Sequence, residues 1–491
     1  MNRFNIIDEP WIPVADAGLV SVRAIFSQKD LRVLGGTPLQ KIALFKLLIA
    51  IAQAASTPQD DAEWDEIGPQ GMAERVLTYL EKWHDAFYLY GDKPFLQMPA
   101  VEKAELKSYQ FLKPETTSNN ATVLTQWQVV YPMSDAERAL YLIQNMSLCF
   151  GSRNVDEKAV LSKGVKKTVI AKPGPALGKN GFLHSFLMGS NLRETVWLNI
   201  HTQEDIRRNR LFENGLGTAP WEKMPYGEDC EIAQSLKTSL MGRLVPLARF
   251  YLFMDTEMHF VEGIQHPDIQ SKYADPSVAV VSSDKTTNGL DCVPEKKPWR
   301  SLTALLSFLN RESANISVEC LQLKIAMRLL RYAKIESFAV WSGGASVKVN
   351  SGNQYISGMY GMVESEAHLT LHCINKEEWF PRLHKRMLEL EEISSELSSS
   401  TKNYYDELKF ENKSGYVKKV QSLYWQSAEF YFNELLEACL EDEDIGRLVV
   451  MKKIIDAATE AYSIVCPQDT ARQMQVWAKH TPRLGRCVKS E

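Results

Sequence analysis

At 491 residues the chain is too long for one ordinary hydrophobic core, which implies two or three domains. A composition of 45% hydrophobic and 24% charged residues, with no low-complexity tract, excludes a disordered or fibrous protein. The net charge of −5 excludes a molecule that binds nucleic acid by bulk electrostatics, so any such contact must come from local basic patches. Eight scattered cysteines without a CxxC pair argue for reduced thiols and against a zinc ribbon.

Residues 1–35 alternate as short strands in "FNIID", "WIPVADAG" and "LVSVRAIF", and "MNRFNIIDEPWIPV" shows no signal-peptide apolar core. Thr37-Pro38 caps a helix over 38–55, whose apolar run is interrupted by Lys46 and reads as a core element rather than a membrane span. A second helix is expected over 70–87, then an aromatic loop-like piece, "DAFYLYGDKPFLQMP". Residues 115–131 are polar with turn signals, and a helix follows at 135–150.

Residues 158–193 carry seven Lys and Arg and no Asp or Glu, interleaved with Gly164, Gly174, Gly178 and Gly181. Such a stretch forms a basic glycine loop whose backbone and ammonium groups can approach phosphates; a solvated surface loop has the same composition. Next, "ETVWLNI" reads as a strand, and helices are expected near 300–311 and 317–333. "AVWSGGASVK" reads as a strand that breaks at Gly343-Gly344. It leads into a hairpin with Asn350-Ser351-Gly352-Asn353 as its turn. The turn ends in Asn353-Gln354, two amides able to bond base edges or backbone groups, or simply to close a turn.

From residue 376 the period changes. Trp379, Leu383, Met387, Leu390, Ile393 and Leu397 fall on one helical face, and further helices are expected at 403–410, in "YVKKVQSLYWQSAEFYFNELLEACL", in "IGRLVVMKKIIDAATEAYSIV" and near 469–479. The fold class is therefore α+β: a large mixed α/β N-terminal domain over 1–375 and an all-α C-terminal four-helix bundle over 376–491. The tail is basic, with Arg472, Lys479, Arg483, Arg486 and Lys489.

Catalytic signatures are missing. No HExxH, GxxxxGK[ST], GxSxG or strand-linked GxGxxG occurs. His368 and His372 share a face as a strand or a helix, and ordinary packing or surface positions explain them better than metal does. His266-Pro267-Asp268 reads as a structural turn. Glu441-Asp442-Glu443-Asp444 and Asp60-Asp61 are consecutive, which suits solvated turns better than acid/base pairs.

Several pieces in order resemble one family, the large subunit (CasA) of the type I-E CRISPR surveillance complex Cascade. They are "IIDEPWIPV" (6–14), "DKPFLQ" (92–97), "FLMGSNLRETVWLNI" (186–200), "VEGIQHPDI" (261–269), "WSGG…NQ" (341–354) and "LYWQSAEFYFNELL" (423–436). The resemblance implies a non-catalytic, cytoplasmic subunit without a cofactor or a membrane partner. It would work with the other Cascade subunits and crRNA, recognise the protospacer-adjacent motif (PAM) in double-stranded DNA and start R-loop formation. A separate helicase–nuclease would then be recruited in trans.

It also places a hairpin wedge on Gly352, Asn353 and Gln354. A rival register on Ser365-Glu366 would set a carboxylate against phosphates. The phosphate and PAM contacts of the glycine loop fall on Lys166, Lys167, Lys172, Gly174, Gly178 and Lys179. Two departures matter. The family's PAM-contacting lysine is replaced within Thr256-Glu257-Met258-His259, leaving His259 as the candidate substitute, and the paired cysteines of some members are missing, so no metal is expected. A scaffold subunit that never touches DNA and a metal-dependent hydrolase built on His368 and His372 are the alternative functions.

Overall fold

A computed structural model describes residues 2–113, 132–152, 172–267, 275–282, 286–309, 317–329, 331–332, 335–356 and 361–488. The chain divides into two compact units. The first takes Met1–Pro294, Ala314–Tyr332 and Val340–Ser365, and the second Glu295–Ser313, Ala333–Ala339 and Glu366–Glu491. The period change at 376 thus lies ten residues past the last crossing, and the second unit also draws two segments from before it.

The first unit is mixed α/β. Its central helix, Pro38–Ser56, starts with a capping box in which Thr37 and Gln40 satisfy each other's backbone N–H groups, with proline at the first helical position. The helix is buried nearly all round. Lys46 is 1% exposed and forms an ion pair with the equally buried Asp275, which explains how an ammonium interrupts a core helix.

Helix Asp61–Lys82 is capped by Asp60 and broken at Gly68, whose φ of +58° turns the chain just before Pro69. The helix expected at 70–87 is its second half, followed by a 3₁₀ turn at His84–Phe87. Helix Asp135–Leu148 has its own capping box, Ser134 with Glu137.

The strands form small sheets. Arg3–Asn5 pairs with Tyr88–Tyr90, Ile12–Val14 with Gly18–Val20, and Glu257–Glu262 lies between Leu106–Ser108 and Arg249–Phe253. Ser337–Ala345 lies between Leu183–Met188 and Met362–Thr370. That middle strand runs straight through Gly343-Gly344 rather than breaking there. A Cβ on Gly344 would overlap the Phe182 carbonyl oxygen, so the glycine permits close backbone approach.

"ETVWLNI" is not a strand: Leu192–Leu198 is a helix, and the Asn191 side chain accepts from the Glu194 N–H to cap it. The helical turn lets Trp197 stack on Trp64 with centroids 3.9 Å apart, each indole N–H donating to the other's backbone carbonyl at 3.0 and 3.1 Å. The helices expected near 300–311 and 317–333 reduce to single turns at Leu302–Leu305, Leu321–Lys324 and Ala326–Leu329, with strand Ser317–Glu319 before the last two.

In the second unit one 29-residue helix, Trp379–Glu407, absorbs the separate helix expected at 403–410. Trp379, Leu383, Met387, Leu390, Ile393 and Leu397 are all buried. Helices Lys413–Phe430, Phe432–Ala438, Ile445–Val465 and Ala471–His480 follow. Tyr424 donates its hydroxyl to the Leu390 carbonyl at 2.9 Å, joining the first two. Arg300 stacks over Trp425 at 3.6 Å while gripping Glu391 with both carboxylate oxygens at 2.8 and 2.9 Å.

The acidic run at 441–444 is not uniformly solvated. Asp442 is exposed, but Asp444 accepts from the buried Arg386 and Arg447 at 3.1 and 2.9 Å. All eight cysteines are free and buried.

Candidate nucleic-acid interface

Strands Val347–Asn350 and Asn353–Ile356 pair antiparallel with Asn350 opposite Asn353. The two loop residues between them, Ser351 and Gly352, sit at φ +50° and +83°, the left-handed pair that a type I′ turn demands. The tip is solvent-facing. Lys348, Asn350 and Ser351 are exposed, Val349 is 56% exposed, and Gly352 and Asn353 are half-buried.

Gln354 behaves differently from its neighbours. It is 4% exposed, and its side chain turns away from solvent onto the glycine loop. Its Nε2 donates to the carbonyls of Gly178 and Lys179 at 3.1 and 2.8 Å, and its Oε1 accepts from the Gly151 N–H at 2.8 Å. Its backbone N–H donates to the Gly151 carbonyl at 2.8 Å. An amide with both protons and its oxygen engaged inside the protein presents nothing to a duplex in this conformation, so the expectation of Gln354 at the tip gives way to Gln354 as an anchor beneath it.

The described part of the basic stretch, from Lys172, is fixed backbone rather than loose loop. Arg249 donates to the carbonyls of Lys172, Phe150 and Ala248 at 2.7, 3.2 and 2.8 Å. His184 Nε2 donates to the Ala176 carbonyl at 2.8 Å. The Val347 N–H bonds the Asn180 carbonyl at 2.8 Å, and the Cys292 N–H bonds the Gly181 carbonyl at 2.8 Å. Gly174 is packed so closely that a Cβ there would overlap the Ser147 carbonyl oxygen, and Gly178 sits at φ +68° against the Phe182 ring. Neither glycine is an open cradle. With the carbonyls turned inward, the loop shows solvent the side chains of Lys172 and Lys179, both exposed. Lys166 and Lys167 lie outside the described residues.

His259 is not positioned to meet DNA. It is 7% exposed in the middle strand of its sheet, and its Nδ1 donates to the Ala104 carbonyl at 2.7 Å. Met258, His259, Phe260 and Val261 are all buried, so both faces of this middle strand are covered and the ring lies inside. His368 and His372 are exposed but fall on different elements, strand Met362–Thr370 and the short helix Leu371–Asn375. Among the described residues no three His, Cys, Asp or Glu side chains gather as metal ligands would. His266 is buried and donates from Nε2 to the Pro246 carbonyl at 2.7 Å.

Three residues at the interface carried little signal in the sequence. Lys348 lies on the polar side of the hairpin and adds a third exposed cation to the hydrogen-bonded assembly of loop and hairpin. Arg249, at the start of its strand, and His184 are charged or ring-polar positions in mostly apolar, mostly buried strands, which is the signal that could have marked them.

The family model described as CRISPR-associated protein Cse1 matches residues 5–464. The CasA/Cse1 protein of Thermus thermophilus is 28% identical over 222 residues, an alignment that spans 42% of this chain and 41% of that protein. The crystal structure of Thermus thermophilus CasA shares the fold with a TM-score of 0.74 at 20% identity, over 99% of each chain. Cse1 from Acidimicrobium ferrooxidans gives 0.71 at 18% identity over 99% of this chain and 98% of that one. A chain of a CRISPR RNA-guided surveillance complex gives 0.72 at 15% identity, over 99% of this chain and 100% of that one. This chain belongs to the CRISPR-associated protein Cse1 family.

Proposed function

We propose that the protein is the non-catalytic large subunit of a type I-E crRNA-guided surveillance complex in the cytoplasm, with the second unit's helices forming its four-helix bundle. It recognises the PAM in duplex DNA, starts strand separation with the 347–356 hairpin and recruits a separate helicase–nuclease. Family membership and the fold shared with a chain of an RNA-guided surveillance complex support the setting.

The observation that carries the local reading is the Gln354 side chain, which ties the hairpin to the basic glycine loop through two hydrogen bonds and to the Gly151 N–H through a third. Lys172 and Lys179 would grip phosphates without reading sequence, while the tip enters the minor groove beside them. Opening a base step costs a few kcal/mol, and a tip held on a fixed backbone delivers that work without first losing its own order. Asn350 and Asn353 supply amides that can replace base-pair hydrogen bonds, and Val349 supplies an exposed apolar surface beside them.

The test uses the assembled complex. Asn353→Ala is expected to impair R-loop formation on linear duplex more than on a duplex already melted at the PAM-proximal step. Equal loss on both substrates would overturn the strand-separating role. Full PAM-dependent duplex binding after Lys172 and Lys179 are both replaced by Ala would favour a scaffold that holds other subunits without touching DNA. Gln354→Ala should lower duplex binding and thermal stability together, because it leaves two carbonyls and an amide N–H unpaired at about 1 kcal/mol or more each.

A further inference from the structure

A buried polar chain runs from the central helix to the glycine loop. Lys46 pairs with Asp275 Oδ2, and Asp275 Oδ1 accepts from the Ser277 N–H and hydroxyl at 3.1 and 2.7 Å. Ser277 Oγ lies 2.8 Å from His184 Nδ1, and His184 Nε2 lies 2.8 Å from the Ala176 carbonyl oxygen. All four side chains are at most 3% exposed. A carbonyl only accepts, so Nε2 carries the proton, and Nδ1 faces the Ser277 hydroxyl, whose one proton it shares with Asp275 Oδ1. Burial, the largest influence, pushes the His184 ring down to about 4, in keeping with a neutral ring in that tautomer.

Ala176 lies midway between the two exposed loop lysines, Lys172 and Lys179. Its N–H also donates to the Ser147 carbonyl at 3.3 Å. His184 therefore fixes the middle of the loop, while Arg249 fixes its start and Gln354 its end.

We propose that His184 is a positioning residue for the glycine loop, its ring seated against the buried chain Lys46–Asp275–Ser277 and its Nε2–H committed to the Ala176 carbonyl. It acts through the Ala176 carbonyl and sets where Lys172 and Lys179 stand relative to the hairpin. The functional part of this inference rests on the reading of the loop as a duplex contact.

The experiment compares His184→Phe, which keeps a planar ring and removes the donor, with His184→Gln, which keeps a donor. Ser277→Ala removes the hydroxyl on which the ring's Nδ1 is seated, with almost no change of volume. Amide hydrogen exchange of the full chain is measured at Ala176, Leu177 and Gly178, with helix Pro38–Ser56 as the internal reference. Duplex binding is measured in the assembled complex.

The expected result is at least tenfold faster exchange at those three amides in His184→Phe and Ser277→Ala, an unchanged reference helix, and at least tenfold weaker duplex binding. His184→Gln should fall within about threefold of the parent on both readouts. Unchanged loop exchange in both Phe and Ala variants overturns the positioning role, as does an equal rise in loop and reference helix. Faster loop exchange with duplex binding intact keeps the positioning role and overturns the reading of the loop as a DNA contact. If His184→Phe does not fold, Ser277→Ala carries the same comparison.

Discussion

Gly181 lies directly beneath the carbonyl oxygen of Ala345: a Cβ placed on Gly181 would overlap that oxygen, and its φ of +91° is one that side-chain-bearing residues rarely adopt. This contact, with the hydrogen bonds from Val347 to Asn180 and from Cys292 to Gly181, seats the end of the glycine loop on the strand that leads into the hairpin. Gly181→Ala should therefore cost about 3 kcal/mol or more, since overpacking and left-handed strain act at one site. Thermal denaturation should show the loss. A variant within about 0.5 kcal/mol of the parent would mean that loop and strand separate easily, contrary to the geometry.

Lys172 and Lys179 give a second expectation that separates phosphate contact from folding. Both are exposed surface side chains, so replacing them should leave stability nearly unchanged. Each lost phosphate contact should shallow the slope of log binding constant against log salt by about 0.9. The Lys172→Ala, Lys179→Ala double variant should thus shift the slope by nearly two. An unaltered slope with weakened binding would show that these lysines do not touch phosphates.

The architecture was legible where periodicity and capping agree. Thr37-Pro38 with Gln40 announced the central helix, and the three-four spacing from Trp379 to Leu397 announced a buried face that is buried throughout. The type I′ turn at Ser351-Gly352 follows from short polar residues between alternating strands. The segment at 192–198 misled because Thr195, Val196 and Trp197 favour strands, while a single cap at Asn191 and a stacking partner 133 residues away decide for helix. Gln354 misled for a similar reason. Its partners at Gly178 and Lys179 are about 175 residues earlier, so nothing local distinguishes a tip amide from an anchor.

Acid sensitivity should concentrate in the first unit. Burial is the largest influence on His184, His201 and His266, pushing the first down to about 4 and the others to about 3. Arg328 beside His201, and Arg243 near His266, act in the same direction. In the unfolded chain these rings protonate near 6.5, so below that pH the unfolded state binds more protons than the folded one. Stability should be full above pH 6.5 and fall as pH drops towards 4, by about 1.4 kcal/mol per pH unit for each histidine. All three of these rings lie in the first unit; in the second, His368, His372 and His384 are exposed and His480 pairs with Glu407. Calorimetry from pH 7.5 to 5 should show the transition that abolishes the Trp64–Trp197 near-ultraviolet signal moving down first. Constant stability of that transition would contradict burial of three neutral rings.

Asp442 and Asp444 stand two residues apart and should respond very differently to removal. Asp442 is 81% exposed and pairs with Lys376 and Arg382 at the surface, where salt and side-chain entropy offset most of the attraction. Asp444 is 17% exposed and accepts from Arg386 and Arg447, both fully buried, while Arg386 also donates to the buried Glu389 at 2.7 Å. It joins the end of one helical connection to both the Trp379–Glu407 and Ile445–Val465 helices. Asp444→Ala would leave two guanidinium groups short of a counter-charge in a dry site, an imbalance worth about 3–5 kcal/mol. Asp442→Ala should leave stability almost unchanged. Chemical denaturation of the two variants side by side checks this, and high salt should narrow the Asp442 effect while leaving that of Asp444 nearly intact, because a buried pair is poorly screened. Equal small losses would show that Arg386 and Arg447 are neutralised without Asp444.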